Sequence, residues 1–341
     1  MNLVGETVKH KGFGIGTIVE ADGSLVLVDF GGTQKKFEYP VAFSGFLTAA
    51  KAEVQQFILA EQTARNEERN RQAQAAAKER KDAMTVQRKS WKRLPERENV
   101  AFKCTYCDGG RTGEVVGFSG ICSKRVMEFN INHAKRTWCS DEDSLCRQHL
   151  DGVYSAAELK EAYREEGLCY EGYMLTEWRA AAGRIQRGPN RGQPMKMLKV
   201  QPNSLCILTT RLPFDGGECD RFIFGVFLID EAYEGDQRDE GYVSTNSEFK
   251  LSLSPKEAEK MLFWMYHSNQ TEPDRPLWSQ GLHRYLGAED SAMILRDIAT
   301  VKRGTPDAEL AARFFGHFCQ INGIDPADIP DHPYGALTIS G

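Results

Sequence analysis

The sequence predicts a multidomain α+β protein: a small N-terminal SH3-like β-barrel, a long helical linker, and a cysteine-rich zinc-type module joined to a mixed α/β domain. Three observations predict it. Residues 1–47 hold several short β-rich runs separated by glycine turns. Residues 48–98 are dominated by strong helix formers. The remainder passes from cysteine-rich to strand-like and helix-like stretches. A chain of 341 residues suffices for two or three cores, and its 41% hydrophobic and 27% charged residues are an ordinary globular balance. The net charge of −5 speaks against a uniformly basic coat but leaves room for a local basic face. No apolar run reaches the ~18 residues of a membrane span, and Met1 to Gly5 lack the charged and apolar regions of a signal peptide. The nine cysteines are therefore expected in a reducing, cytoplasmic setting without a disulfide framework.

In the barrel, Thr17-Ile18-Val19 and Leu25 to Phe30 flank Asp22-Gly23, a two-residue hairpin signal. Gly31-Gly32 marks the next reversal before Thr33 to Tyr39, and Pro40 ends that strand. The run Gly12-Phe13-Gly14-Ile15-Gly16 looks like a phosphate-binding loop, yet a strand follows where such a loop needs a helix N-terminus. The glycines are expected to serve tight backbone geometry instead. Gly5-Glu6-Thr7-Val8-Lys9-His10-Lys11-Gly12-Phe13-Gly14-Ile15-Gly16-Thr17-Ile18, followed by Val28-Asp29-Phe30-Gly31-Gly32, resembles the Tudor-like module at the C-terminus of UvrD/PcrA-type helicases. It is also similar to the RNA-polymerase-interacting domain of CarD-type transcription factors. The resemblance implies docking of a protein partner through residues 1–47, and no chemistry.

Between Ala49 and Arg97 there is no Gly, and no Pro before Pro95. Apolar residues thin out after Leu59, so a long, charged, exposed helix is expected, without a sustained coiled-coil seam. Its C-terminal half is basic, and Lys89 and Arg93 are candidate phosphate contacts, with Trp91 available to stack.

Residues 99–150 form the cysteine module. Cys104-Thr105-Tyr106-Cys107 is a C-x-x-C knuckle followed by Asp108-Gly109-Gly110. Zinc requires four ligands in a tetrahedron, and paired thiols close in sequence pre-organise half of it. Cys104 and Cys107 with a later pair from Cys139, Cys146 and His149 would complete a structural Zn²⁺ site. The 31 residues between Cys107 and Cys139 exceed the usual ribbon spacing. Buried metal-free thiols and an iron–sulfur cluster stay open as alternatives. Cys169, Cys206, Cys219 and Cys319 read as structural.

Residues 151–330 read as an α/β domain, with 331–341 a tail. Ser155-Ala156-Ala157-Glu158 is a capping box whose helix Gly167 can close. Ser254-Pro255-Lys256-Glu257 is another, with Ala258, Met261, Leu262 and Met265 at helical spacing behind it. Thr305-Pro306 opens a last helix with Leu310, Phe314, His317, Phe318 and Ile321 on one side. Ser204 to Thr210 and Arg221 to Ile229 read as buried strands.

The pair Ser204 to Arg211 and Arg221 to Asp230 resembles the core of the PUA superfamily, which includes EVE, ASCH, YTH and SRA modules. The resemblance implies a pocket for a flipped, often modified, base. Such a pocket needs aromatic faces and edge-reading polar groups. Trp264, Tyr266, Trp278 and Tyr285 are candidate stackers, and Asn269, Gln280 and Asp230 candidate readers. The alternative is that Phe263 and Trp264 continue a helix into the core. Arg187, Arg191 and Lys196 in a Gly/Pro-containing loop, with Arg211, are candidate phosphate contacts.

No G-x-S-x-G, H-E-x-x-H or Walker A pattern is present. The acidic stretch Asp230, Glu231, Glu234, Asp236, Asp239 and Glu240 would be the place for a nuclease metal, and reads equally as a solvated loop. A ββα-type zinc nuclease using His133 or His149 lacks a convincing His-Asn-His arrangement. The expected function is thus a nucleic-acid-binding protein, a reader of modified or foreign DNA in a bacterial defence or DNA-transaction setting. A restriction-type metal nuclease and a scaffold on RNA polymerase or a helicase are the alternatives.

Overall fold

A computed structural model describes residues 2–68, 71, 75, 97–111, 115–165, 169–186, 188–214, 216–278 and 281–339. The expected contacts Lys89, Arg93 and Arg187, together with Trp91, Gly167 and Gln280, lie outside the described residues. The architecture is mixed α+β, with a curled antiparallel half-barrel sheet and two further sheets. The chain divides into two compact units, Met1–Arg93 and Leu94–Gly341.

In the first unit, β1 (Thr7–His10), β2 (Gly14–Ala21), β3 (Leu25–Asp29), β4 (Gln34–Glu38) and β5 (Leu47–Ala49) form one sheet in the order β4-β3-β2-β1-β5. The Asp22-Gly23 hairpin forms as its chemistry requires: the Asp22 carboxylate accepts from the backbone N–H of Ser24 (2.9 Å) and Leu25 (2.7 Å). Val8, Ile18, Val26 and Val28 alternate inward along their strands and are fully buried. Gly16 is fixed by packing: a Cβ there would stand 2.6 Å from side-chain atoms of Phe30 and Val28. The glycine run therefore serves the sheet. The helix at 52–68 is not only a solvated linker, because Val54 and Ile58 drop into the same core. Tyr39 also donates to Glu61 across 2.6 Å.

In the second unit, β6 (Asn99–Lys103), β8 (Leu205–Thr210), β9 (Phe222–Leu228), β12 (Lys250–Ser252) and β13 (His283–Leu286) form a sheet in the order β12-β9-β8-β6-β13. Only β6 and β8 run parallel. A smaller sheet pairs β10 (Glu231–Tyr233), β11 (Tyr242–Ser244) and β7 (Arg179–Ala181) in the order β10-β11-β7. Every residue of β8 and β9 is buried, as their unbroken apolar runs predict. The cysteine-rich segment shares this core: Phe118 stacks on Phe224 of β9 with centroids 3.9 Å apart. Both capping boxes form. Ser155 N–H donates to Glu158 at 2.8 Å, and Ser254 N–H to Glu257 at 2.7 Å.

The helix expected behind Ser254 is shorter than its periodicity suggests, ending at Ala258. Beyond it the backbone is drawn onto the edge of β9, where Ile223 N–H bonds Met261 and Phe263 N–H bonds Arg221. Strand-edge pairing outcompetes helix propagation there. The helix expected after Thr305-Pro306, Ala308–Asn322, buries Phe314 and Phe318 and closes at Gly323 in the left-handed region. No helix among the described residues is long and apolar enough to cross a membrane.

Candidate functional site

Because β6 and β8 are parallel, their carboxyl ends stop at the same edge of the sheet. The chain after each, Cys104 to Tyr106 and Arg211 to Phe214, forms one side of a cavity of about 860 Å³. The π-helical turn Phe129–His133 and the 3₁₀ turn Glu171–Tyr173 lie on other sides of it. Five cations face this space: Lys103, Arg136, Arg184, Arg211 and Arg221. Among the described residues only two carboxylates, Glu171 and Glu240, line it with them.

The cations are unequally engaged. Arg221 is buried and held by Glu218 at 2.5 and 3.1 Å. Arg184 bonds the carbonyls of Gly192 and Arg238, each at 2.9 Å. Arg211 has weaker ties, 3.4 Å to the Gly216 carbonyl and 4.0 Å to Glu218. Lys103 has no carboxylate within 4.0 Å among the described residues, and burial holds its ammonium below the usual lysine range. Arg136 keeps a buried Nε with no hydrogen-bond partner among the described residues. Glu171, bonded by Thr105, is pushed above the ordinary carboxylate range by burial. Aromatic rings complete the lining. Trp138 (58% exposed) and Phe214 (47%) keep open faces, and Phe214 packs 4.5 Å from Phe129 with Arg125 over its ring.

Cys104, Cys122, Cys139, Cys146 and Cys169 line the same cavity. Cys107 lies against Cys122, and their hydrogen bond favours the Cys107 thiolate while raising Cys122. Its sulfur also accepts from the Gly109 N–H at 3.4 Å. A Cβ on Gly109 would fall 2.0 Å from the Gly120 carbonyl oxygen, so only glycine lets the two loops close around Cys107. Burial pushes the thiols of Cys139 and Cys146 up, to about 12 and about 11.

The residues singled out from sequence are scattered by this fold. Of the expected zinc set Cys104, Cys107, Cys139, Cys146 and His149, the structure gathers only part. Cys104 turns into the core, its sulfur 3.5 Å from that of Met174. The Nδ1 of His149 is 2.7 Å from the Tyr154 carbonyl. Among the described residues, no three His, Cys, Asp or Glu side chains stand close enough to hold one metal ion.

The expected base-stacking residues Trp264, Tyr266 and Trp278 are 0%, 4% and 3% exposed and belong to the core. A stacking platform needs an open face, which none of them has here. Tyr285 accepts from the Leu198 N–H (3.1 Å), and Asn269 ties down the carbonyls of Arg275 and Leu277. Asp230 accepts from the Asn246 N–H at 2.7 Å. Other carboxylates of the acidic stretch are engaged locally: Glu231 with Tyr242, Asp236 with Tyr233, and Glu240 with Arg184. Of the expected phosphate contacts, Arg211 reaches the cavity, Arg191 is exposed away from its lining, and Lys196 stands 4.0 Å from Glu234.

Sequence reasoning missed Arg136, Trp138, Glu171, Cys122 and Cys169 as site residues. A cation and an aromatic directly ahead of a cysteine, in Arg136-Thr137-Trp138-Cys139, was the available signal. No protein-family model matches the chain, and neither does any curated protein or any solved structure.

Proposed function

We propose that the chain binds nucleic acid and admits one nucleotide unit, extruded from a strand or at its end, into the cavity beyond β6 and β8. The observation that carries this reading is the excess of cations over carboxylates in a pocket that also presents open aromatic faces. Its volume falls within the range of small-molecule sites, roughly 300–1,000 Å³. A phosphate would supply the anion that Lys103 and the orphan Nε of Arg136 lack. Trp138 and Phe214 offer faces for a base, and Glu171 in the lining would read its edge. One-nucleotide capture suits discrimination of modified or foreign DNA, because the whole base is enclosed. The acidic stretch gives a nuclease reading little support, its carboxylates being engaged in local bonds.

A second reading rests on a different observation. Phe13, Ile15, Val19 and Leu25 of the first unit are exposed apolar residues, a surface suited to a protein partner. The two readings are compatible, one for each unit.

Electrophoretic mobility shift of the full chain tests the first reading, with plain and modified duplex DNA, single-stranded DNA and RNA. Selective binding that weakens on Trp138→Ala is expected. Absence of binding to every probe at low salt would refute it.

A further inference from the structure

The cavity beyond β6 and β8 holds its charges and its open rings at different depths. Arg221 is 1% exposed, and the Nε of Arg136 is shielded from solvent. Lys103 is half-buried at the carboxyl end of β6. Trp138 and Phe214, by contrast, stand 58% and 47% exposed in the same lining. The sheet brings the cations together. Lys103 stands opposite Thr209 in the parallel pairing, and Arg221 reaches the Thr209 hydroxyl at 3.4 Å. Arg221 and Arg211 then share one carboxylate, Glu218, at 2.5 and 4.0 Å.

This order of depth discriminates between the units that a strand can offer. A nucleotide flipped out of a continuous strand enters base first, because both of its phosphodiesters stay joined to neighbours outside. Its pocket needs rings inside and cations at the rim, the reverse of the arrangement here. A nucleotide at the end of a strand is free to enter phosphate first. The buried cations then meet the phosphate, and the base is left beside the exposed rings of Trp138 and Phe214.

The balance of charge points the same way. Glu218 is engaged by Arg221, and Glu240 by Arg184 at 3.4 Å. Burial favours the proton on Glu171, so this carboxyl opposes an anion less than an ordinary one would. Among the described residues, Lys103 has no carboxylate within 4.0 Å, the Nε of Arg136 has no hydrogen-bond partner, and Arg211 has only its 4.0 Å approach to Glu218. A phosphodiester brings one negative charge to these three cations. A phosphomonoester brings about 1.5 to 2 at neutral pH, with an additional free oxygen to accept hydrogen bonds. We propose, on the reading of the cavity as a one-nucleotide site, that it takes a nucleotide bearing a terminal phosphomonoester, inserted phosphate first, rather than an internal unit of a strand.

A single-stranded DNA labelled at an internal position is to be prepared with a 5′-phosphate, with a 3′-phosphate, and with hydroxyls at both ends. Anisotropy titrations of the full chain at physiological salt compare the three, with a nucleoside monophosphate and its nucleoside as unlabelled competitors. One phosphate-ended strand is expected to bind about tenfold tighter than the hydroxyl-ended strand, or better. The monophosphate is expected to compete where the nucleoside does not. A phosphate-ended strand that binds no tighter than the free monophosphate identifies a free nucleotide, with the same terminal chemistry, as the ligand. Lys103→Met, close in shape to the parent side chain, is expected to bring the two strands to within about threefold of each other. Arg191→Gln, exposed and outside the lining, should leave their ratio unchanged. Circular dichroism separates these effects from unfolding. Equal affinity for all three strands would overturn the proposal while leaving an extruded internal unit as the occupant. Absence of binding by any strand or nucleotide would remove the one-nucleotide reading as well.

Discussion

Neutralising Arg136 and Arg211 is the sharpest test of the cavity as a phosphate site. Neither side chain holds the fold together strongly. The Arg136 Nε has no partner among the described residues, and the Arg211 guanidinium makes only a 3.4 Å bond to Gly216 and a 4.0 Å approach to Glu218. Glu218 stays neutralised by Arg221 at 2.5 Å when Arg211 is removed. Arg136→Gln and Arg211→Gln should therefore unfold like the parent. Each phosphate contact to a single strand contributes about −0.7 to the slope of log K against log[salt]. Losing one contact then costs roughly fourfold in affinity at 0.15 M salt, and losing both about fifteenfold, converging on no difference near 1 M. Fluorescence anisotropy titrations of a labelled single strand across a salt series measure both quantities. The double variant should have a slope shallower by about 1.4. An unchanged slope, or a loss of affinity as large at 1 M salt as at 0.15 M, would refute phosphate contact by these arginines.

Three predictions concern the fold beneath the site. His267 is held down to about 4 mainly by burial, with Arg284 adding to the effect. A depressed histidine contributes stability above its unfolded value near 6.5 and loses it as pH falls towards 4, by about 3 kcal/mol in all. Urea midpoints at pH 7 and pH 4.5 should diverge less in His267→Gln than in the parent; an equal divergence would count against the assignment. Lys302 is a buried cation 3.0 Å from Glu257, which also closes the capping box at Ser254. Lys302→Met should cost about 3 kcal/mol by stranding that carboxylate, and adding Glu257→Gln should restore part of it. A thermal melt showing no recovery in the double variant would argue that packing, not charge, dominates. Gly16→Ala should destabilise the first unit by about 1–3 kcal/mol through its close approach to Phe30 and Val28. Four of the five tryptophans belong to the second unit, so the main transition in tryptophan fluorescence should stay in place.

What was legible in the sequence is what local chemistry decides. Asp22-Gly23 can close a hairpin without help from distant residues, and it does so with its own carboxylate. Ser155 with Glu158 and Ser254 with Glu257 find each other three residues apart. The all-apolar runs of β8 and β9 had to be covered on both sides. The parallel pairing of β6 with β8 was not legible, because it joins residues more than a hundred positions apart through backbone bonds that carry no side-chain signature. The cavity depends on that pairing, so its lining could not be read either. The aromatic run Phe263-Trp264-Met265-Tyr266 shows the complementary failure. Rings that would suit a wet stacking site are equally suited to a core, and composition alone cannot tell which side of the surface they occupy.

The knuckle Cys104-Thr105-Tyr106-Cys107 brings these limits together. Spacing alone says that two thiols can share a metal, provided the chain between them folds back. Here Cys104 continues the line of β6, its N–H bonded to the Thr209 carbonyl of β8, and that extended path packs its side chain against Met174. Only after Cys104 does the chain turn, with Asp108-Gly109-Gly110 reversing it beneath Gly120, so that Cys107 alone meets Cys122. A sheet register thus decides that Cys107 is the half of the motif that meets Cys122, while Cys104 stays at the wall of the cavity. The partners it selects, Cys122 and Cys169, are cysteines to which the sequence attached no pattern.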